Sequence, residues 1–371
     1  MKTLSLFSGC GGLDVGAEMA GAQVVCCVDN DQDSLDSLAL NDDGSKTLLN
    51  EDISQLDGQS ILEASGLAAG EVELIIGGPP CQSFSKNNYW TRSGEESLRR
   101  RKQRKEAAEQ AGRNFIDHTN LPRKKNAVSV DDDVRSNLVL EKARLITELL
   151  PRAFVFENVQ SITHPKNKKF LKAFKDFVEN AGYKTSEFRL SSEAFGVAQK
   201  RKRVFVVGHL TDSVSPPIVT HSEDAPLFLK PIVTSGEAIA PFQTDDFFED
   251  EEVISGRWAE YFPDIPPGMN YKALTAWAGY PNPVFEAETR FWNFLLKLHP
   301  EKPSWTIAAN PGPWVGPFHW DNRRLRIPEM AAIQSFPPGY QLAGNRRSKV
   351  RQIGNAVPPL MAKAVVDTIS Q

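Results

Sequence analysis

Of everything in this 371-residue chain, the string Gly-Gly-Pro-Pro-Cys-Gln-Ser-Phe-Ser at 77–85 narrows the chemistry most. Cys81 lies in a polar loop just beyond the apolar run VELII at 72–76. A cysteine so placed becomes a nucleophile when neighbouring cations or helix amides favour its thiolate. Pro79 and Pro80 stiffen the approach and remove two backbone donors, which aims the turn. Glu157 stands near the end of another apolar run, AFVFENV at 153–159. Framed by Phe154, Val155, Phe156 and Val159, its ionised form is disfavoured, so its pKa rises and it can give up a proton at neutral pH. Gln199, Arg201 and Arg203, in QKRKRVFVVG, open a third run and add cations. Taken singly, these features have plainer readings: a strand-terminal surface Glu, a solvated basic turn and, for Cys26 and Cys27 inside QVVCCV, inert packing. The four cysteines form no CxxC pair and have no His cluster nearby, which argues against both a disulfide framework and a zinc site.

Such groups need a scaffold. The first thirty residues read as strand (TLSLF), glycine turn (SGCGG), helix (LDVGAEMAG) and strand (QVVCCV, ending at Asp29), one βαβ unit. Further strands are predicted at 72–76, 153–159 and 203–209. Leu138, Ala143, Ile146 and Leu149 predict a helix over 138–150, just before Pro151. Strands alternating with helices give an α/β fold, a mostly parallel sheet with helices on both faces. Ligands then bind beyond the carboxyl ends of the strands, where Cys81 and Glu157 both fall. SLFSGCGG suits a nucleotide met by backbone amides at a helix N-terminus. Asp29, 20 residues after Gly9, is placed to bind ribose hydroxyls. Together these favour an adenosine-containing ligand, while the missing full G-x-G-x-x-G spacing and phosphate-binding Lys count against NAD and ATP. Asp52, in NEDI, suits an adenine amino group or, on its own, a helix cap.

With 40% hydrophobic and 24% charged residues the chain has a soluble globular composition. It contains no apolar stretch of membrane-spanning length and no signal-like N-terminus, so a cytoplasmic protein without membrane contact is expected. Its 43 basic and 47 acidic residues leave a net charge of -4. That figure hides two opposite regions. Between Lys86 and Lys125 twelve basic residues face five acidic ones, a surplus of +7, within a basic insert at 86–127; between His221 and Asp264 eleven acids face two bases, or -9. Residues 211–302 are also rich in proline and aromatics, as in IPPGMNY and WAGYPNP, which predicts a second, irregular domain.

In chain order, FSGCGG, the acid after the second strand, PPCQSFS, ENV, the Gln199-x-Arg201-x-Arg203 string, RRLRIPEMAAIQSFPPGY and RQIGNAVPP make the sequence resemble the DNA (cytosine-5)-methyltransferase family over nearly its whole length. The resemblance implies a Rossmann-like class I S-adenosylmethionine-dependent methyltransferase domain with a smaller irregular target-recognition domain. The catalytic and cofactor-binding domain would comprise 1–210 plus 303–371, the recognition domain 211–302. The cofactor implied is S-adenosyl-L-methionine, leaving S-adenosyl-L-homocysteine, with no metal. By position Cys81 matches the family nucleophile, Glu157 the acid on cytosine N3, and Arg203 the group holding cytosine O2, with Arg201 beside it. Phe7, Ser8, Gly9, Gly11, Gly12, Leu13, Asp29, Asn30, Asp52, Ile53, Pro79, Leu138 and Asn355 match cofactor-contact positions, and RQIGNAVPP would return to complete that site. Asn30 replaces the larger residue often found there, which puts adenine stacking at that point in question.

This chemistry requires the target base to leave the stack, because C6 cannot be reached inside a duplex. Double-stranded DNA is the expected partner, with the basic insert on its phosphates and the acidic stretch facing away. Family habit adds a cognate restriction endonuclease acting on the same site, and a monomeric enzyme without an N-terminal regulatory domain. Three alternatives stand beside this reading. A tRNA cytosine-5 methyltransferase shares the fold, but its branch carries a Cys-Phe-Thr string in the recognition region, and this chain has no cysteine beyond Cys81. A nicotinamide-dependent oxidoreductase would explain SLFSGCGG and Asp29 but not PPCQ, ENV and QxRxR together. A catalytically silent DNA-binding protein would have no use for Cys81 and Glu157.

Overall fold

A computed structural model describes residues 1–80, 132–285 and 292–369, the side chains of 132–137 excepted. Five strands run parallel: β1 (Lys2–Leu6), β2 (Gln23–Asp29), β3 (Thr47–Asn50), β4 (Leu74–Gly77) and β5 (Ala153–Val159). After them come β6 (Lys184–Ser191), the short β7 (Gln199–Lys200) and β8 (Lys202–His209). β8 runs antiparallel to both β5 and β6, giving one seven-stranded sheet in the order β3-β2-β1-β4-β5-β8-β6. The helices between strands are α1 (Gly12–Met19), α2 (Gln32–Leu40), α3 (Gly58–Ser65), α4 (Asp132–Leu149) and α5 (Lys168–Asn180).

The apolar runs are continuous because the sheet is covered on both faces, with successive side chains pointing opposite ways. Leu4, Leu6, Ile75, Phe154, Phe156, Val204 and Val206 pack under α3, α4 and α5, whose Ile61, Ile146, Leu171 and Phe174 meet them. Leu74, Ile76, Val155, Phe205 and Val207 face α1 and α2, joined there by Met361 and Val365 from the far end of the chain. Strand order reverses between β1 and β4, which opens a crevice at their carboxyl ends.

Several boundaries differ from the sequence reading: β4 runs from Leu74 to Gly77 rather than over 72–76, and β8 begins at Lys202 rather than at 203. β1 stops at Leu6 rather than Phe7, because Phe7 takes φ 59° and leaves the strand. α4 begins at Asp132, six residues before Leu138, in a polar stretch with no apolar rhythm to announce it. β6 also escaped the sequence reading: it is an edge strand, KTSEFRLS, in which Phe188 alone is fully buried.

Beyond β8 the chain forms β9 (His221–Ser222) paired with β10 (Lys230–Pro231), α6 (Ser235–Ile239), and a series of 3-10 turns. An aromatic core of Phe262, Tyr271, Leu274, Leu295 and Phe318 holds this region together. β11 (Ser304–Trp305) then pairs with β7, and α7 (Ile327–Ile333), α8 (Arg346–Asn355) and α9 (Pro359–Asp367) follow. The acidic stretch docks on basic residues of this last segment: Glu249 pairs with Arg346 and Glu252 with Arg326, while Arg323 binds Glu329 at 2.6 Å. Among the described residues no helix is long and apolar enough to cross a membrane.

Candidate active site

Strand register lines up the carboxyl ends. Leu6 stands opposite Val28 and Gly77, and Gly77 opposite Phe156, so Phe7, Asp29, Gly78 and Glu157 emerge along one edge of the sheet.

At the first of these ends the chain makes a tight loop, with φ 59° at Phe7, 51° at Gly9 and 78° at Gly11. A bulky residue at positive φ is strained and persists only where its surroundings dictate it. Here the surroundings are specific. The Gly9 N–H donates to Asp29 Oδ2 at 2.8 Å, the Asp31 N–H donates to Oδ1 at 2.9 Å, and Ser8 Oγ donates to the Ser5 carbonyl at 3.1 Å. Burial pushes the Asp29 carboxyl up, and those amides pull it back. From behind, the C-terminal segment closes on the loop. A Cβ on Gly12 would stand 2.3 Å from the Val357 carbonyl oxygen, one on Gly11 would stand 2.6 Å from Leu38 Cδ2, and the Tyr340 hydroxyl donates to the Cys10 carbonyl at 2.8 Å. On the outer side, none of the described residues lies within 4 Å of a Cβ position on Gly9. The loop is therefore packed from within and open outward.

The other positions matched to the cofactor divide into two groups. Asn30 and Asp52 are exposed beside this loop, and Asp52 Oδ1 accepts the Ser54 N–H at 2.9 Å, so it does cap a turn. Leu13, Ile53 and Leu138 are core or near-core side chains. Pro79 is buried, its carbonyl accepting from Asn158 Nδ2 at 3.2 Å, and Asn355 is exposed at the end of α8.

The charged centre lies at the end of β5. Glu157 pairs in register with Phe205, so Arg203, two residues earlier on β8, shares its face. Arg203 Nε reaches Glu157 Oε1 at 2.6 Å, with Glu157 8% and Arg203 9% exposed. Burial pushes the Glu157 carboxyl above its ordinary range, while Arg203, Arg201 and Lys142 act in the opposite direction. Gly78 passes so close that a Cβ there would stand 2.5 Å from Glu157 Oε2.

Of the three polar residues opening β7 and β8, only Arg203 bonds to Glu157. Gln199 binds Gln334 and accepts the Ile307 N–H at 3.0 Å; the Arg201 guanidinium donates to the carbonyls of Gly354 at 2.6 Å and Ile307 at 3.3 Å. Both tie the QKRKR turn to the QSFP and GNAVPP segments, and the charge of Arg201 also acts on the Glu157 carboxyl. Cys81 and the basic insert at 86–127 lie outside the described residues. The described cysteines, Cys10, Cys26 and Cys27, are all buried, and burial pushes each thiol up, Cys26 to about 12, away from nucleophilic use.

Sequence reading missed Lys142. It is wholly buried on α4, and its Nζ donates to the carbonyls of Gly77 at 2.5 Å and Val155 at 2.7 Å. The available signal was its place four residues from both Leu138 and Ile146, on the apolar face of the helix. Among the described residues no group of three or more potential metal ligands occurs.

Comparison with known proteins agrees with this geometry. Residues 1–100 and 129–371 match the model of the C-5 cytosine-specific DNA methylase family. The chain is 33% identical to the Type II methyltransferase M.SacI of Streptomyces achromogenes, covering 100% of this chain and 93% of that protein. It is 28% identical to the Type II methyltransferase M.NgoFVII of Neisseria gonorrhoeae, covering 100% and 87%. Among solved structures, S. pombe Dnmt2 methyltransferase superposes with a TM-score of 0.57 at 17% identity, covering 100% of this chain and 97% of that one, a likeness of fold.

Proposed function

Since the chain belongs to the C-5 cytosine-specific DNA methylase family and is a DNA cytosine-5 methyltransferase, we propose that it transfers the methyl group of S-adenosyl-L-methionine to a cytosine flipped out of duplex DNA, through a covalent bond from Cys81 to C6. The observation that carries this reading is the buried Glu157–Arg203 pair at the carboxyl edge of β5, beside the Gly78-Pro79 turn that leads to Cys81.

The glycine loop fits the cofactor. Its outer face is open at Gly9, the Asp29 carboxylate keeps lone pairs beyond those that bind Gly9 and Asp31, and no phosphate-binding lysine follows, as suits an adenosine without phosphates. Phe7, Asp29, Asn30, Asp52 and Pro79 border that space, with Asn355 contributed from the end of α8. S-adenosyl-L-methionine supplies an electrophilic methyl carbon when bound.

The chain's own residues do the rest. Cytosine C5 is a poor nucleophile. Addition of the Cys81 thiolate at C6, with a proton held at N3 by Glu157, converts the ring to an enamine whose C5 can accept the methyl carbon. Glu157 is suited to this because burial raises its carboxyl above the ordinary range, which makes it a better proton donor. Arg203 holds Glu157 in place and presents its remaining donors towards cytosine O2. Loss of the C5 proton and expulsion of Cys81 then regenerate the thiolate and free the methylated base.

The region from 211 to 302 serves as target-recognition domain in this reading, supported by its separate aromatic core, which extends as far as Phe318. A restriction endonuclease sharing the same DNA site is the partner suggested by the Type II relatives. Labelled S-adenosyl-L-methionine offered with duplex DNA and, separately, with tRNA tests the proposal, with bisulfite sequencing to locate the product. Methyl transfer to DNA that is lost in Cys81→Ser is expected. Transfer to tRNA alone, or full activity in Cys81→Ser, overturns it.

A further inference from the structure

Lys142 stands where α4 should carry an apolar side chain. Its neighbours Val139, Leu145, Ile146 and Leu149 are all buried in the core beneath the sheet. Taking an ammonium out of water costs several kcal/mol, and an apolar side chain of similar volume would fill the same space without that cost. The group is not left idle there. Its Nζ spans two strands, donating to Gly77 on β4 at 2.5 Å and to Val155 on β5 at 2.7 Å, and lies 5.6 Å from the centre of the Phe156 ring. Gly77 precedes Cys81 by four residues, and Val155 precedes Glu157 by two. Burial pushes this amine well below the usual lysine range, and it grips the backbone just ahead of the two residues assigned above.

We propose that Lys142 is a positioning residue for methyl transfer, its Nζ donors clamping the ends of β4 and β5 on which the chain leading to Cys81 and the Glu157 carboxyl are carried. The inference rests on the roles given above to Cys81 and Glu157. The bonds that Lys142 donates go to backbone carbonyls and not to the Glu157 carboxyl, so the effect is on alignment: rate is affected and binding is spared.

The test compares Lys142→Met, which keeps length and removes the donors, with Lys142→Gln, which keeps an uncharged donor, both in the full chain. Single-turnover methylation of duplex DNA is expected to slow by about 10- to 100-fold in Lys142→Met, the scale of a misalignment near 1 Å. KM for DNA and for S-adenosyl-L-methionine should stay within about threefold, with no fall in melting temperature, and Lys142→Gln should be faster than Lys142→Met. A wild-type rate in Lys142→Met overturns the proposal, as does Lys142→Gln no faster than Lys142→Met, or a loss that appears wholly in KM. Should Lys142→Met fail to fold, Lys142→Gln against wild type decides, an unaltered rate overturning the role. Cys81→Ser measured alongside separates the two readings. If it is inactive while Lys142→Met is unimpaired, only the role of Lys142 falls; if it is active, the roles beneath it fall.

Discussion

Replacing Gly78 by Ala should separate activity from stability. The added Cβ would stand 2.5 Å from Glu157 Oε2, where ordinary contact begins at 3.4 Å, and 3.3 Å from the Glu157 carbonyl oxygen. The backbone contact needs only a small adjustment, so the carboxylate must retreat by about 0.9 Å, a distance set by those two contact values. It cannot do so while keeping the 2.6 Å bond to Arg203 Nε. Gly78 has no positive φ, so alanine meets no backbone strain there. The atom displaced is the tip of a side chain, which confines the damage. Overpacking costs about 1–3 kcal/mol, and the lower entropy of the unfolded alanine chain returns about 0.4–1 kcal/mol of it. A net loss near 1 kcal/mol should leave the protein folded. The rate is more exposed: a misplacement of this size costs about 100-fold, or roughly 2.7 kcal/mol of barrier. Single-turnover transfer from tritiated S-adenosyl-L-methionine to duplex DNA, beside a thermal melt, measures both quantities. A folded Gly78→Ala enzyme with the wild-type rate would show that the Glu157 carboxylate need not sit where it does, and the assignment of Glu157 would go with it.

Three other perturbations follow from the same contacts. Glu157→Gln removes the proton donor and should lower the rate by about 10²- to 10⁴-fold. On the proposed role the protonated carboxyl is the active form, and burial raises its pKa, so the wild-type rate should fall as pH rises through that pKa; a pH profile of Glu157→Gln that keeps this fall would contradict the role. Asp14, buried against Ser5 and Cys27, has its carboxyl pushed up by burial to about 7, so the stability it contributes is complete below 3.8 and is lost as pH rises through about 7. Asp14→Asn should abolish that loss, on the order of a few kcal/mol, when urea unfolding at pH 5 is compared with pH 8.5, and equal slopes in the two proteins would count against it. Glu252→Ala leaves the buried Arg326 guanidinium without its carboxylate and should cost about 3–5 kcal/mol in chemical denaturation; a change below about 1 kcal/mol would show that the pair is not holding the acidic stretch.

The parts of this molecule legible in its sequence are those where local pattern and function coincide. The runs at 153–159 and 203–209 are strands because both faces of the sheet are covered, and that burial makes them apolar throughout. Glu157 could be placed at a strand end for the same reason: it interrupts the apolar run. What local pattern conceals is partnership at a distance. Gln199, Arg201 and Arg203 alternate in the sequence and share a face, yet the first two bind Gln334 and Gly354, segments more than 100 residues away, and only the third meets Glu157. Lys142 was hidden in the same way, since a lysine within a helix reads as solvated until the carbonyls of Gly77 and Val155 are seen beside it.

Charge makes the same point about function. Counted along the chain, the acids of 221–264 look like a surface that would repel DNA. In the fold several are used internally. Glu249 and Glu252 bind Arg346 and Arg326, Glu223 meets Lys200 at 2.8 Å, and Glu237 closes a capping box with Thr234. Of these, Glu249 and Glu252 fasten the acidic stretch to the RRLRIPE segment, Glu252 through Arg326 and Glu249 by accepting the Ile327 N–H at 2.9 Å. The pairing works in both directions, because Arg326 and Arg346 are thereby neutralised and cannot also serve DNA phosphates at full charge. Cations for the phosphate backbone must then come from elsewhere, and the stretch from Lys86 to Lys125, with twelve basic residues against five acidic ones, is the richest source in the sequence. It directly follows the loop that carries Cys81. On the proposed roles, the residues that would hold the backbone and the residue that would attack the base follow one another in the sequence, so binding of phosphates is coupled to the nucleophile through a short stretch of chain.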